Sequence, residues 1–188
     1  MTWPDTRPAA PAEPRVEPGR LRDIGVINTL ITRVIGVATG GRPPNVFTTL
    51  ARHRSLFRRW LIFASGLMPG GRLSRRETEL VILDVARRMD CPYEWDHHEV
   101  LGRKAGISDD ALAAVRDGDI DAPVFTARER ALLLASRELH EHRVLGASSW
   151  ATLRSALSEV ECIEVCMLVG HYQMLAMTLA SLQVQRDP

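Results

Sequence analysis

Cysteine is scarce in this chain, and neither sign of charge prevails. Three cysteines stand among 188 residues, an odd count without the spacing of a disulfide framework or a zinc site. A reducing, cytoplasmic setting is the expectation. Lysine and arginine number 24 and aspartate and glutamate 23, for a net charge of +1. The basic footprint of a nucleic-acid or anionic-membrane protein is therefore missing, and neither partner is expected. A secretory leader is missing too: MTWPDTRPAAPAEPRVEPGR has prolines where an apolar core should stand. The longest apolar stretch, CMLVGHYQMLAMTLASL, is interrupted by His171, Tyr172 and Gln173. It reads as a buried helix and not as a membrane span. Strand-like alternation is rare, no internal repeat is visible, and the histidines lack HExxH or similar metal spacing.

A chain of this length is expected to form one domain. It can bury roughly 70% of its unfolded surface and needs no covalent staples. Residues 1–19 carry five of the eleven prolines and read as an extended, poorly ordered arm. From Arg20 onward the pattern is helical. A first helix covers 21–37 and closes at Gly40-Gly41 and Pro43-Pro44. Asn45 caps a second stretch over 46–67, with a break near His53 left open. Capping boxes open three further helices: Ser74 with Glu77, Thr126 with Glu129, and Ser158 with Glu161. Ser108, followed by Asp109 and Asp110, opens another. The fold class is thus all-α, a single-domain bundle of seven or eight helices over 20–188 with short loops.

Chemistry concentrates in CPYEWDHHE, residues 91–99. Pro92 suits the first helical position, which makes Cys91 the N-cap, where the helix dipole favours a thiolate. Cys91, Glu94, Trp95 and His98 share one stripe at offsets of three, four and seven, and Tyr93, Asp96 and His97 point elsewhere. Seven residues of helix rise about 10 Å, so His98 does not reach Cys91, whereas Glu94 can meet His98. Glu79 falls on the side of Ile82, Leu83 and Ala86, so its carboxyl faces the core and needs a partner. A Glu94–His98 pair supported by Glu79 makes an acid–base unit with Cys91 at its mouth. For any one of these residues a structural role is the commoner case; the set points to a site.

Other groups weigh less. Cys162 and Cys166, four apart among apolar neighbours, read as small core residues. His171 and Tyr172 are candidate pocket residues, and Gly170 beside them suggests a close approach. Arg52, His53, Arg54, Arg58 and Arg59 read as a solvated face. Glu79, Glu94 and His98 could face one another around a metal, but a single copy of the motif does not make a dinuclear site, and no metal is expected.

The stretch LSRRETELVILDVARRMDCPYEWDHHEVLGRKAGISDDALAAV, residues 73–115, resembles the carboxymuconolactone decarboxylase family, which includes the alkyl hydroperoxide reductase D-like proteins. That family carries an acid on one helix, a cysteine at the start of the next and a histidine further along it, matched here by Glu79, Cys91 and His98. The later stretches FTARERALLLASRELHEH and LVGHYQMLAMTL are similar to larger members with Tyr-Glu-Trp after the cysteine, matched by Tyr93, Glu94 and Trp95. The resemblance implies the alkyl hydroperoxide reductase D-like fold, a homo-oligomer (dimer, trimer or hexamer), a small-molecule substrate, a pocket lined by Tyr93, Trp95, His171 and Tyr172, and no cofactor. Peroxide-reducing members carry Cys-x-x-Cys, and Glu94 stands where their second cysteine would be. Three functions are therefore weighed: cofactor-independent conversion of a lactone or organic acid, peroxide reduction by Cys91 with an external thiol, and a non-catalytic binding or assembly module.

Overall fold

Local signals account for most helix ends. The computed structural model describes residues 13–39 and 41–187, and every regular element among them is helical. In order these are α1 (Leu21–Thr39), α2 (Asn45–Leu50), α3 (Arg54–Leu67), α4 (Arg75–Arg88), α5 (Pro92–Lys104), α6 (Asp109–Asp117), α7 (Ala127–His142), α8 (Ala147–Ala156) and α9 (Glu159–Leu182). That is nine where seven or eight were expected. The 46–67 stretch is two helices, because the chain turns at Ala51–His53. α1 bends at Gly25, whose φ of 77° is open to glycine but costly for other residues.

The helices gather into two compact units: the described residues up to Ala64 with those from Thr178 onward, and Ser65–Met177. The first is built on Ile24, Ala51 and Phe57, with Phe47, Leu50 and Trp60 packed around them. Its arginines lie on an exposed face, as expected, and also make hydrogen bonds within the unit. Arg54 donates to the carbonyls of Arg22 and Asp23, Arg52 to that of Glu17, and Arg58 to the side chain of Asn28. They bind the chain around the start of α1, where a bent helix has carbonyls to spare. Asn45 is corrected. Pro44 is the N-cap of α2, with no side-chain cap, and the Asn45 amide donates to Gln185 instead. Of the expected arm, residues 1–12 lie outside the described residues. The remainder is tied down: the N–H groups of Arg15 and Val16 donate to Leu182, and that of Gly19 to Thr48.

The second unit carries every candidate site residue. α4 packs on α5, α6 and α7, and α7 packs on α8. Leu80, Ile82, Leu83, Leu132, Leu153 and Leu168 are fully buried there. α5 lies close to α4 because Gly102 has no side chain; a Cβ there would come within 3.3 Å of Leu83 and 3.0 Å of Ile107. All three capping boxes form, with both reciprocal bonds in each. Each box glutamate also takes an arginine: Glu77 and Glu161 share Arg128, and Glu129 takes Arg76. Thr126→Ala is expected to cost about 1 kcal/mol. Calorimetry should register this as a fall in Tm of about 2–4 °C.

Candidate active site

Ser74 fixes the register of α4, and that register turns Glu79 inward. Glu79 is completely buried. Its two oxygens have different partners: Oε1 lies 2.7 Å from Nη2 of Arg75, one turn earlier, and Oε2 lies 2.7 Å from Nδ1 of His98 on α5. Pairing on both sides offsets the cost of burying the carboxylate. It also fixes the imidazole. A carboxylate accepts only, so Nδ1 carries the hydrogen and Nε2 is the nitrogen left to exchange a proton.

Cys91 is the N-cap of α5, as expected, with Pro92 following. Its side chain makes no capping bond, and its backbone N–H donates to Ala86 at 2.8 Å. The thiol is held toward Glu94. That carboxyl is 3% exposed, and neither of its oxygens accepts from a nitrogen or oxygen donor. Burial pushes its pKa up to about 8, against a smaller opposing influence from the Cys91 thiol. At neutral pH Glu94 is therefore a carboxylic acid with a proton to give, while the carboxyl of Glu79 is paired on both sides.

Tyr172 of α9 joins these groups. Its ring meets the His98 ring edge-on at 5.2 Å and that of His171 at 5.0 Å. Burial raises its phenol pKa, and the charges of Glu94 and Glu79 raise it further, which places both carboxyls within electrostatic reach of one hydroxyl. Burial and the neighbouring His98 pull His171 down to about 4, so that imidazole is neutral.

Several expectations are corrected here. Glu94 does not pair with His98: the imidazole is taken by Glu79, and Glu94 faces Cys91. Tyr93 and Trp95 are buried. Tyr93 stacks with His97 at 4.8 Å, and Trp95 donates to Glu99 beneath the guanidinium of Arg116. Cys162 is buried as expected, but Cys166 is exposed. Gly170 has no close neighbour; a Cβ there would meet nothing within 4 Å. Arg75 was missed, although its i,i+4 spacing to Glu79 was there to be read. Among the described residues no group of three or more His, Cys, Asp or Glu is arranged to hold a metal ion.

Residues 54–138, which include Glu79, Cys91, Glu94 and His98, match the model of the carboxymuconolactone decarboxylase family. That segment belongs to the carboxymuconolactone decarboxylase family. Solved structures share the fold. A peroxidase-related protein with an alkylhydroperoxidase AhpD core, from Ralstonia eutropha, is 16% identical with a TM-score of 0.82, over 93% of this chain and 92% of that one. A peroxidase-related protein from a Silicibacter species is 18% identical with a TM-score of 0.78, over 100% and 95%. The debrominase Bmp8 in its apo form is 15% identical with a TM-score of 0.75, over 92% and 91%. A comparison with curated protein sequences finds no match. The chain has Cys-x-x-Glu at the start of α5.

Proposed function

We propose that this protein is a cofactor-independent acid–base enzyme acting on a small lactone or organic acid. The observation that carries the reading is the meeting of a buried, proton-bearing carboxyl, Glu94, and an oriented imidazole, His98, beside Tyr172. Glu94 is a buried carboxyl held neutral, and His98 is oriented by Glu79 with Nε2 left to exchange a proton. In a decarboxylation the C–CO2 bond breaks and its electron pair moves onto an adjacent carbonyl. CO2 leaves, and Glu94 delivers its proton to the resulting enolate carbon. His98 then restores the proton to Glu94 from solvent. Cys91 acts as a hydrogen-bond donor at the edge of the site.

A second reading rests on the contact between Cys91 and Glu94. A cysteine-to-alanine variant of Bmp8 has been solved in complex with 2,3,4-tribromopyrrole. In a thiol-dependent reaction here, the Cys91 sulfur would attack a peroxide oxygen and its thiol proton would pass to Glu94, replacing the one that Glu94 gives up. The O–O bond would break, and Glu94 would protonate the departing alkoxide. Two equivalents of an external thiol would return the sulfenic acid to the thiol, leaving as disulfide and water.

One substitution separates the readings. The wild type and Cys91→Ser are assayed for CO2 release from a panel of small lactone and keto acids, and for consumption of an alkyl hydroperoxide with dithiothreitol. The acid–base reading expects turnover on the first panel. It expects Cys91→Ser to lose only a neutral hydrogen bond, about 1 kcal/mol, a change of under about tenfold in rate. Peroxide consumption that vanishes in Cys91→Ser, with no turnover of any acid, would transfer the assignment to the thiol.

A further inference from the structure

Arg75 stands where helix energetics give it no reason to be. It takes the first helical position of α4, the end at which the macrodipole disfavours a cation. Its ion pair with Glu79 runs arginine-first at i,i+4, the weaker order for such a pair. Burial of Glu79 does not need the whole guanidinium either. Oε2 already meets the His98 ring, and Arg75 brings one nitrogen, Nη2, to Oε1. Nε and Nη1 donate to no acceptor among the described residues. The Arg75 side chain is 40% exposed while that of Glu79 is completely buried, so the guanidinium reaches from solvent to the inner wall of the site. Its charge is felt beyond Glu79. Burial raises the pKa of the Tyr172 phenol and Arg75 works against that rise, which puts the cation within electrostatic reach of the ring that meets His98. The neighbouring arginines are committed elsewhere: Arg76 to Glu129 and the carbonyl of Gly106, and Arg128 to Glu77, Glu161 and the carbonyl of Ala156. A residue that breaks a local rule with no gain to the fold is expected at a functional position.

We propose that Arg75 is the specificity-determining residue of this site, taking a carboxylate of the substrate on the N–H groups that Glu79 leaves unused. The proposal rests on the acid–base reading of the same site and adds what selects the substrate. A guanidinium holds five N–H donors in a planar fork. One N–H of Nη2 suffices for Glu79, which leaves a whole edge of the fork, two parallel N–H groups, to grip a second carboxylate. The setting accepts an anion, because Glu94 bears its proton at neutral pH and does not repel one. The anchored carboxylate is one that the reaction leaves in place. A cation gripping the departing carboxylate would stabilise the substrate more than the transition state, in which that group is becoming CO2.

The test reads binding apart from turnover. The wild type, Arg75→Gln and Arg75→Lys are titrated by calorimetry with paraconate, a γ-lactone acid, with levulinate, a keto acid, and with the methyl ester of each. The wild type is expected to bind an acid more tightly than its ester by about tenfold or more, as for one charge-assisted hydrogen-bonded pair. Arg75→Gln should bind acid and ester alike. Arg75→Lys keeps the charge but not the fork and should fall between. A measurement on the unmodified protein accompanies these: nitrogen-15 shifts of the Arg75 guanidinium should move as the acid is added and stay still with the ester. CO2 release is followed separately. An acid preference that depends on Arg75, in a protein that turns over no acid, would support the anchor and remove the acid–base reading. Acid and ester bound alike by the wild type, an Arg75→Gln variant that keeps the preference, no binding of either acid, or guanidinium shifts indifferent to the acid would each overturn the anchor, whatever the turnover.

Discussion

The Glu94→Gln variant is expected to be more stable than the wild type at pH 8 by a few kcal/mol, and to lose that advantage as the pH falls toward 4. In the unfolded chain a glutamate releases its proton near pH 4.5, whereas in the fold Glu94 keeps its proton up to about 8. Between those values the unfolded state holds fewer protons, so wild-type stability falls as pH rises. The upward shift of roughly 3.5 units, at about 1.4 kcal/mol per unit, bounds the effect near 5 kcal/mol. A glutamine fills nearly the same volume and has no proton to lose. His171 adds a slope of the opposite sign. Its pKa is pulled down from 6.5 to about 4, so the unfolded chain takes up a proton first and stability falls as pH drops below 6.5. The window is therefore pH 6.5 to 8, above the midpoint of His171 in the unfolded chain, where its slope dies away and is the same in both proteins. Urea unfolding at the two ends of that window should give a declining midpoint for the wild type and a nearly level one for Glu94→Gln. Equal slopes for the two proteins would mean that Glu94 is ionised in the fold, and the proton donor of the proposed mechanism would be lost with it.

The second large effect is expected at the Glu79–His98 pair. His98→Asn should lower turnover by about 10²–10⁴-fold, the range for removal of a general acid–base group. Glu79→Gln should approach the same loss without touching the substrate. An amide can either donate to Nδ1 or accept from it, so the imidazole would no longer be held with its hydrogen at Nδ1. The readout that separates positioning from mere support is the tautomer. Nitrogen-15 shifts of the His98 ring should mark a protonated Nδ1 in the wild type and a mixture of tautomers in Glu79→Gln. Turnover that survives both substitutions, or a wild-type ring with its hydrogen at Nε2, would remove His98 from its assigned role.

How much of this was legible in the sequence depends on which residues are asked about. The capping boxes fixed the register of α4, so the inward turn of Glu79 could be read directly, and Pro92 placed Cys91 at the start of α5. Spacing within a helix proved weaker as a guide to partners. Glu94 and His98 are one turn apart, yet the imidazole turns to Glu79 on another helix, because a paired carboxylate is a better acceptor than a neutral acid. Sidedness of α9 was not readable at all. Both of its faces are apolar, so hydropathy could not separate buried Cys162 from exposed Cys166, or tell that Gly170 faces outward. The arginines at 52 and 54 were rightly read as solvent-facing, but their partners were not legible, because bent and broken helices expose carbonyls that only the folded chain reveals.

The arginines shared among the capping glutamates have a consequence for the site. Glu77 lies two residues before Glu79 and is latched through Arg128 to the first turn of α9, the helix that also presents Tyr172. The aim of the site carboxylate and the placement of the phenol are thus governed from a single anchorage at the helix starts. Any slippage of that anchorage would misdirect both at once, without a change in any side chain that meets the substrate.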